Sequence, residues 1–350
     1  MTEPSGGGVA DGPRPVDPPR TVVVPDSLDG MRVDRAVALL ADLARSAVDR
    51  AVDAGSVLVN GERVGARSHR LRTGDRLTIP DAPEPLRAPA ADPSVVVPVL
   101  YVDTDVVVVD KPAGLVVHPG AGHVSGTLVE GLLARFPELA HLAFDTGSDP
   151  SRPGIVHRLD RGTSGLLVVA RTPRAYRSLV SQLAERTVSR RYLSLVHGHV
   201  RAPAGVVDAP IGRSARTPTR MAVSDRGRPA RTRYRVLERL GTGGAAVTLV
   251  EAQLETGRTH QVRVHLAAIG HPVVGDVTYR GSGRGAPSDL GRPFLHAGRL
   301  AFTHPTSGHL LHFEAPLPGD LVEELRRHGS GDPTGGLVPM AGTGHDDPSV

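Results

Sequence analysis

The pattern of apolar and turn-forming residues predicts an α+β protein, with a larger domain around a mostly antiparallel mixed sheet and a small α/β unit ahead of it. Three observations carry this expectation. After residue 99 the segments with strand character outnumber those with helical periodicity, no strand–helix–strand repeat emerges, and a Pro- and Ala-rich stretch interrupts the chain over residues 82–98. At 350 residues the chain exceeds one average domain, so two folded modules plus tails are expected.

Residues 1–20 and 328–350 are rich in Gly, Pro and Asp and carry too few apolar side chains to repay ordering; both are expected to be disordered tails. Residues 21–81 form the first module. Val33, Ala36, Val37 and Leu40 recur at helical spacing, and Val48, Ala51 and Val52 mark a second helix that stops at Gly55. Val57, Leu58 and Val59 read as a short strand, Asn60-Gly61 as its tight hairpin turn, and Gly74-Asp75 turns the chain before Leu77 and Ile79. Pro83, Pro85, Pro89 and Pro93 make residues 82–98 an extended linker.

The second domain is expected over residues 99–327. Strands are placed at 106–109, 166–169, 192–196, 231–240, 245–254 and 309–313. Thr172-Pro173 opens a helix whose apolar face is Tyr176, Leu179, Val180 and Leu183. Thr259 is expected to cap a further helix with Val262, Leu266 and Ile269 as its buried stripe, which leaves Arg263 facing away from that stripe.

Charge is unevenly spread. The formal net charge is only +4, and forty of the 41 basic residues are Arg, with Lys111 the exception. Nine Arg fall between Arg152 and Arg191 against Asp160 and Glu185; eight fall between Arg213 and Arg235 against Asp225. Genome composition accounts for the choice of Arg over Lys but not for the clustering, which suits a phosphate backbone. With no Cys, disulfides, thiolate zinc sites and Cys nucleophiles are excluded. The first twenty residues lack the apolar core of a signal peptide, and no apolar run approaches the roughly eighteen residues of a membrane span. A soluble, cytoplasmic protein is expected.

The segment 154–170, Gly-Ile-Val-His-Arg-Leu-Asp-Arg-Gly-Thr-Ser-Gly-Leu-Leu-Val-Val-Ala, is the most informative. Asp160 sits in a polar, Gly-punctuated loop just before a buried strand, where a rigid scaffold can hold a reactive side chain. Arg158 and Arg161 flank it, and nearby cations keep a desolvated carboxylate ionised, as a nucleophile requires. Taken alone, an Asp in such a turn is more often an ordinary turn former.

This segment resembles the catalytic motif of the RluA family of pseudouridine synthases, which contains the catalytic aspartate. Arg191-Tyr192-Leu193 resembles the family's second motif, whose tyrosine lies against the target uracil, and residues 255–265, Glu-Thr-Gly-Arg-Thr-His-Gln-Val-Arg-Val-His, resemble the third. The likeness runs from Tyr101 to Pro318 and implies the pseudouridine synthase fold. It implies Asp160, Tyr192 and Arg263 as catalytic residues, with Arg263 paired to the aspartate, and Arg158, Arg161, Thr163, Leu166, Arg258, His260 and Gln261 as substrate-binding residues. Arg158 is the analogue for filling the space left by a flipped nucleotide. Lys111-Pro112-Ala113-Gly114 with Val117-His118-Pro119-Gly120 is also family-like and is read as a wall of the active site. The family commonly has Lys where this chain has Arg161 and Arg190 or Arg191, and the Gly-rich stretch 281–292 has no clear counterpart.

Within the first module, Arg32-Val33-Asp34, Ala44-Arg45-Ser46 and residues 55–61, Gly-Ser-Val-Leu-Val-Asn-Gly, resemble the RNA-binding domain of the ribosomal protein S-four type. That resemblance implies an RNA-facing surface with Arg45 and Arg50, joined by Arg32; Arg190 and Arg191 are the RNA-binding expectation of the second domain. The added domain points to the RluD-like branch, and hence to ribosomal RNA of the large subunit as partner.

Other classes fit less well. Sixteen His invite a metallohydrolase, but His260 and His265 are five apart and no HExxH occurs. A glycosidase needs two carboxylates about the scissile bond, and one stands out here. No Walker-type loop or dinucleotide fingerprint is present. A binding-only assembly factor has no use for Asp160, Tyr192 and Arg263 together. The expectation is therefore a monomeric, cofactor-free and metal-free RNA isomerase.

Overall fold

The computed structural model describes residues 20–41, 48, 51–53, 55–79, 89–120, 123–214, 216–217, 219–280 and 288–331. The chain divides into two compact units, Met1–Arg87 and Ala88–Val350.

In the first unit, β1 (Arg20–Val23), β2 (Leu58–Val59), β3 (Glu62–Arg63) and β4 (Arg76–Ile79) form an antiparallel sheet in the order β1-β4-β2-β3. α1 (Val33–Ala41) buries Val33, Ala36 and Val37 against Val48, Leu71, Leu77 and Ile79. The hairpin turn is as the dipeptide demands: Asn60 and Gly61 both take positive φ, 54° and 84°, the pairing that matches the right-handed twist of flanking strands. β1 begins at Arg20, the last residue of the expected tail, and carried no strand signal because it is too short to show alternation. Residues 48 and 51–53 are helical, as expected, while Arg45 and Arg50 lie outside the described residues.

The second unit is built on nine strands. They are β5 (Val99–Val102), β6 (Val106–Lys111), β7 (Ser164–Ala170), β8 (Ser189–His197), β9 (Ala204–Asp208), β12 (Arg231–Leu240), β13 (Val247–Leu254), β14 (Leu295–Thr303) and β15 (Leu310–Glu314). The order is β5-β6-β7-β14-β8-β13-β12-β9, with β15 on β14. Only β7 and β14 run parallel; the other pairs are antiparallel, which gives the mixed, mostly antiparallel sheet of an α+β fold. β10 (Ile211–Arg213) and β11 (Met221–Val223) form a separate hairpin. The helices are α2 (Leu128–Arg135), α3 (Leu139–Thr146), α4 (Pro173–Ala184), α5 (Gln261–Ala268) and α6 (Gly319–Arg327).

Where β7 meets β14 the backbones nearly touch. A Cβ at Gly165 would stand 2.4 Å from the Ala297 carbonyl oxygen, and its φ of 111° suits glycine alone. This close approach seats the Asp160 loop, which leads into β7, beside the middle of the sheet.

Several expectations need correction. α4 is capped by Thr172, whose hydroxyl accepts from Ala175 N–H, but its buried face is Ala175 and Leu179 with Tyr176 and Leu183 alongside; Val180 is exposed. Thr259 is not the cap of α5. His260 precedes the helix with φ 57°, Ile269 is exposed at its far end, and residues Gln261 to Leu266 are all buried, so the buried side is wider than the expected stripe and takes in Arg263. The helices α2 and α3 were not anticipated, although Thr127 and Glu130 have capping-box spacing: the Glu130 carboxylate accepts from both the Thr127 N–H and hydroxyl, at 2.7 and 2.9 Å. Residues 89–98, the end of the expected linker, lie along α2, where Gly131 leaves room for the Val95 carbonyl. At the other end of the chain Ser330, expected in a tail, donates to Glu238 at 2.6 Å. Among the described residues no helix is long and apolar enough to cross a membrane.

Candidate active site

The second unit holds a cleft of about 280 Å³ lined by residues of the Asp160 loop, of β8 and of the segment leading into α5. The Asp160 loop is fixed from both sides. Thr163 N–H donates to the Asp160 carbonyl at 3.0 Å, closing a turn, and Gly114 N–H donates to the Arg161 carbonyl at 2.7 Å. Lys111, at the end of β6, is fully buried and its ammonium donates to the carbonyls of Pro112 and Leu115, both at 2.9 Å, and of Arg161 at 3.4 Å. Burial pushes this lysine down to about 7. The family-like segment 111–114, with Leu115, is thus the clasp under the loop, and of the expected wall His118 lines the cleft itself.

Asp160 keeps 18% of its side chain exposed, at the edge of the cleft. Its cation is Arg263, whose Nη1 donates to Oδ2 at 3.2 Å. Neither flanking arginine serves that purpose: Arg161 turns its Nε to the Gly114 carbonyl at 3.2 Å, and Arg158 is an exposed residue of the cleft lip. Arg263 is itself held by Asp276, which accepts from Nε at 2.6 Å and from Nη2 at 2.9 Å. Burial opposes the Arg263 charge, and the two carboxylates outweigh it and raise its pKa. Asp276 is buried and also accepts from Thr278 and Tyr279 N–H. It was missed at the level of sequence because a lone Asp in Val-Gly-Asp-Val carries no local signal of its partner thirteen residues earlier.

A second contact reaches Asp160 from His260, whose Nε2 lies 4.0 Å from Oδ2. Met221 N–H donates to the Tyr279 hydroxyl at 3.1 Å, and the hydroxyl lies 2.7 Å from His260 Nδ1. With the phenol donating to Nδ1, the imidazole proton sits on Nε2 and faces Asp160. Burial, helped by Arg263, lowers the His260 pKa, which favours this neutral ring. The Tyr279 ring also packs on the Arg263 guanidinium, 5.0 Å from carbon to centroid.

Tyr192 stands on β8 opposite Ala252, nearly buried, and lines the same cleft. Burial pushes its phenol up to about 12, so it stays protonated at neutral pH. Arg190, two residues earlier, points to the same side and is 6% exposed. Arg258 lines the cleft and donates Nε to the Pro229 carbonyl. Three further expected substrate residues serve the framework. Gln261 is buried and spends its amide on Thr256, Arg258, Arg231 and Thr232; Leu166 is a core residue of β7; Thr163 is buried with its hydroxyl unbonded. Arg191 pairs with Glu251 at 3.2 Å, and Arg32 in the first unit forms a bidentate pair with Asp34. Among the described residues, no group of three His, Asp or Glu side chains is placed to hold a metal ion.

A sheet-borne cleft with one Arg-paired carboxylate, a buried tyrosine and a rim of arginines is suited in charge to an anionic ligand. The comparisons state the class. Residues 105–268 match the family model described as RNA pseudouridylate synthase. The chain is 44% identical over 291 residues to the RNA pseudouridine synthase YlyB of Bacillus subtilis, covering 82% of this chain and 91% of that protein. It is 43% identical over 321 residues to the ribosomal large subunit pseudouridine synthase D of Nitrosomonas europaea, covering 87% and 86%. Among solved structures, human RNA pseudouridylate synthase domain containing 1 matches with a TM-score of 0.50 at 32% identity, over 64% of this chain and 84% of that one. The chain belongs to the RluA family of RNA pseudouridine synthases, in its RluD-like branch, and is an isomerase of RNA.

Proposed function

We propose that the protein converts specific uridines of large-subunit (23S) ribosomal RNA to pseudouridine, with Asp160 as nucleophile and the target nucleotide flipped into the cleft. The ion pair between Arg263 and Asp160 at 3.2 Å, at the edge of a cleft shared with Tyr192, carries this reading. The bond from uracil N1 to ribose C1′ breaks while an Asp160 oxygen bonds to the sugar or to the ring; the base turns, C5 bonds to C1′, the carboxylate leaves, C5 gives up its proton and N1 gains one. Nothing is oxidised or hydrolysed. Arg263 holds the carboxylate charged and in one rotamer, which a nucleophile needs. Tyr192, as a protonated phenol, offers its ring to the base rather than acting as a free phenolate base.

A stacked base cannot reach so narrow a cleft, so extrusion at a cost of about a few kcal/mol precedes chemistry, with Arg158 at the lip to replace or grip what is displaced. The first unit, with Arg32, Arg45 and Arg50, is proposed as the RNA-binding module, and relatives named ribosomal large subunit pseudouridine synthase D favour ribosomal RNA as its target. The test compares wild type with Asp160→Ala on a 23S transcript and maps pseudouridine in cells with and without the gene. Loss of specific rRNA sites is expected in both arms; an unchanged rRNA with a vanished tRNA site overturns the substrate, and an active Asp160→Ala overturns the nucleophile.

A further inference from the structure

The cleft contains a cation that the protein does not neutralise. Arg190 is 6% exposed, yet among the described residues no carboxylate pairs with it and its Nε is buried with no hydrogen-bond partner. A buried guanidinium left unpaired is costly, and such sites persist where a ligand supplies the missing charge. The surroundings offer none. Tyr192 beside it is a neutral phenol, and desolvation together with the Arg190 charge pushes His157 down to about 3, so that ring is neutral as well. Around the cleft Arg152, Arg158, Arg190 and Arg258 face the single carboxylate of Asp160, which is already matched by Arg263.

Gly257 shows that room is kept for this head group. A Cβ there would lie 2.9 Å from Arg190 Nη1, and no positive φ accounts for the glycine. Any side chain at 257 would push the guanidinium out of its place against the cleft wall. Uracil is neutral and cannot complement the charge, whereas a nucleotide carries a phosphate on each side of its ribose. At 6% exposure, Arg190 is out of reach of a backbone that stays outside.

We propose that Arg190 is a phosphate-binding residue within the cleft, receiving the phosphate on one side of the nucleotide whose base meets Asp160 and Tyr192. This rests on the reading of the cleft as a flipped-uridine site. The planar fork of Arg fits a phosphate with two parallel hydrogen bonds, so Lys at this position keeps the charge but loses the second contact.

The experiment measures thermal midpoints of the full chain at fixed ionic strength against uridine, uridine 5′-monophosphate, uridine 3′-monophosphate and inorganic phosphate. A ligand that binds only the folded state stabilises it by RT ln(1 + [L]/Kd), so midpoints at matched ligand concentrations rank the affinities. One monophosphate is expected to bind wild type about ten-fold tighter than uridine, the size of a charge-assisted contact, and the better isomer identifies the side bound. Arg190→Met is expected to abolish that preference, and Gly257→Ala, which displaces the head group without removing it, to reduce it. Inorganic phosphate tests whether the anion alone suffices: a midpoint rise in wild type that Arg190→Met removes supports the site. Equal binding of uridine and both monophosphates by wild type, no binding of any of them, or an unchanged preference in Arg190→Met overturns the proposal. The two readings fail separately: if Asp160→Ala loses rRNA modification while Arg190→Met keeps the phosphate preference, the function stands and this inference falls.

Discussion

Arg263 is the residue on which the site's geometry turns. One guanidinium bridges two carboxylates, and the bidentate contact with Asp276 fixes its plane so that Nη1 is left for Asp160. Asp276→Asn keeps the shape but removes the charge and one acceptor, so Arg263 is free to rotate about its remaining contacts. Misplacement of a reacting group by about 1 Å can cost 100-fold in rate, and a fall of that order in kcat with little change in KM is expected. Because breaking a buried pair strands a charge, stability should also fall by about 3 kcal/mol. Single-turnover pseudouridine formation alongside urea unfolding measures both; a folded variant with wild-type kcat would show that Asp160 does not need Arg263 held. Arg263→Lys should do no better, since an ammonium cannot fork between the two acids.

Among the secondary elements, α4 and the β7–β14 junction permit separate tests. Thr172 caps α4 through Ala175 N–H and donates its own hydroxyl to Asp105 at 2.9 Å, so Thr172→Ala loses two contacts. A loss of about 2 kcal/mol is expected in urea unfolding, at the upper end for a cap, with the rate of pseudouridine formation unchanged. His296, on β14, is fully buried between Ser164 and the Ala315 carbonyl, and burial lowers it from its ordinary 6.5 to about 4. Its Nε2–H donates to Ala315 and its Nδ1 accepts from Ser164, so the neutral ring is the bonded form. Between pH 6.5 and 4 the unfolded chain binds a proton that the folded chain refuses. Stability should therefore fall as pH drops through this window, by up to about 1.4 kcal/mol per pH unit from this group. His296→Gln should make the slope shallower by as much as one proton; an unchanged slope would mean that the ring is charged when folded.

For the molecule as a whole, recognition has to rest on arginine. With five Tyr, five Phe and no Trp, stacking on many aromatics is not available, whereas Arg is abundant at forty residues. RNA affinity should drop steeply with salt, the slope reporting the phosphates neutralised at roughly 0.7–0.9 per contact. Replacing Arg45 and Arg50 together should reduce the slope by about 1–2 without altering the rate once RNA is saturating. Filter binding from low to high salt tests this, and a flat response in wild type would rule out a phosphate-led interface.

Amphipathic spacing and turn chemistry act over a few residues, so α1, the Asn60-Gly61 hairpin, the β7 strand and the Thr172-Pro173 start of α4 were legible in the linear chain, as were the motifs around Asp160, Tyr192 and Arg263. Segments without local contrast were not: β1 is too short, α2 and α3 follow a stretch of mixed pattern, and the buried side of α5 is nearly continuous. The pairing of Arg263 with Asp160 spans 103 positions and was expected from the resemblance alone; local spacing pointed to the flanking Arg158 and Arg161, of which Arg161 turns to the Gly114 carbonyl. The same holds for Asp276 and Lys111, and for the unmatched charge of Arg190. Burial and pairing are properties of neighbours in space, and only the folded sheet brings those neighbours together.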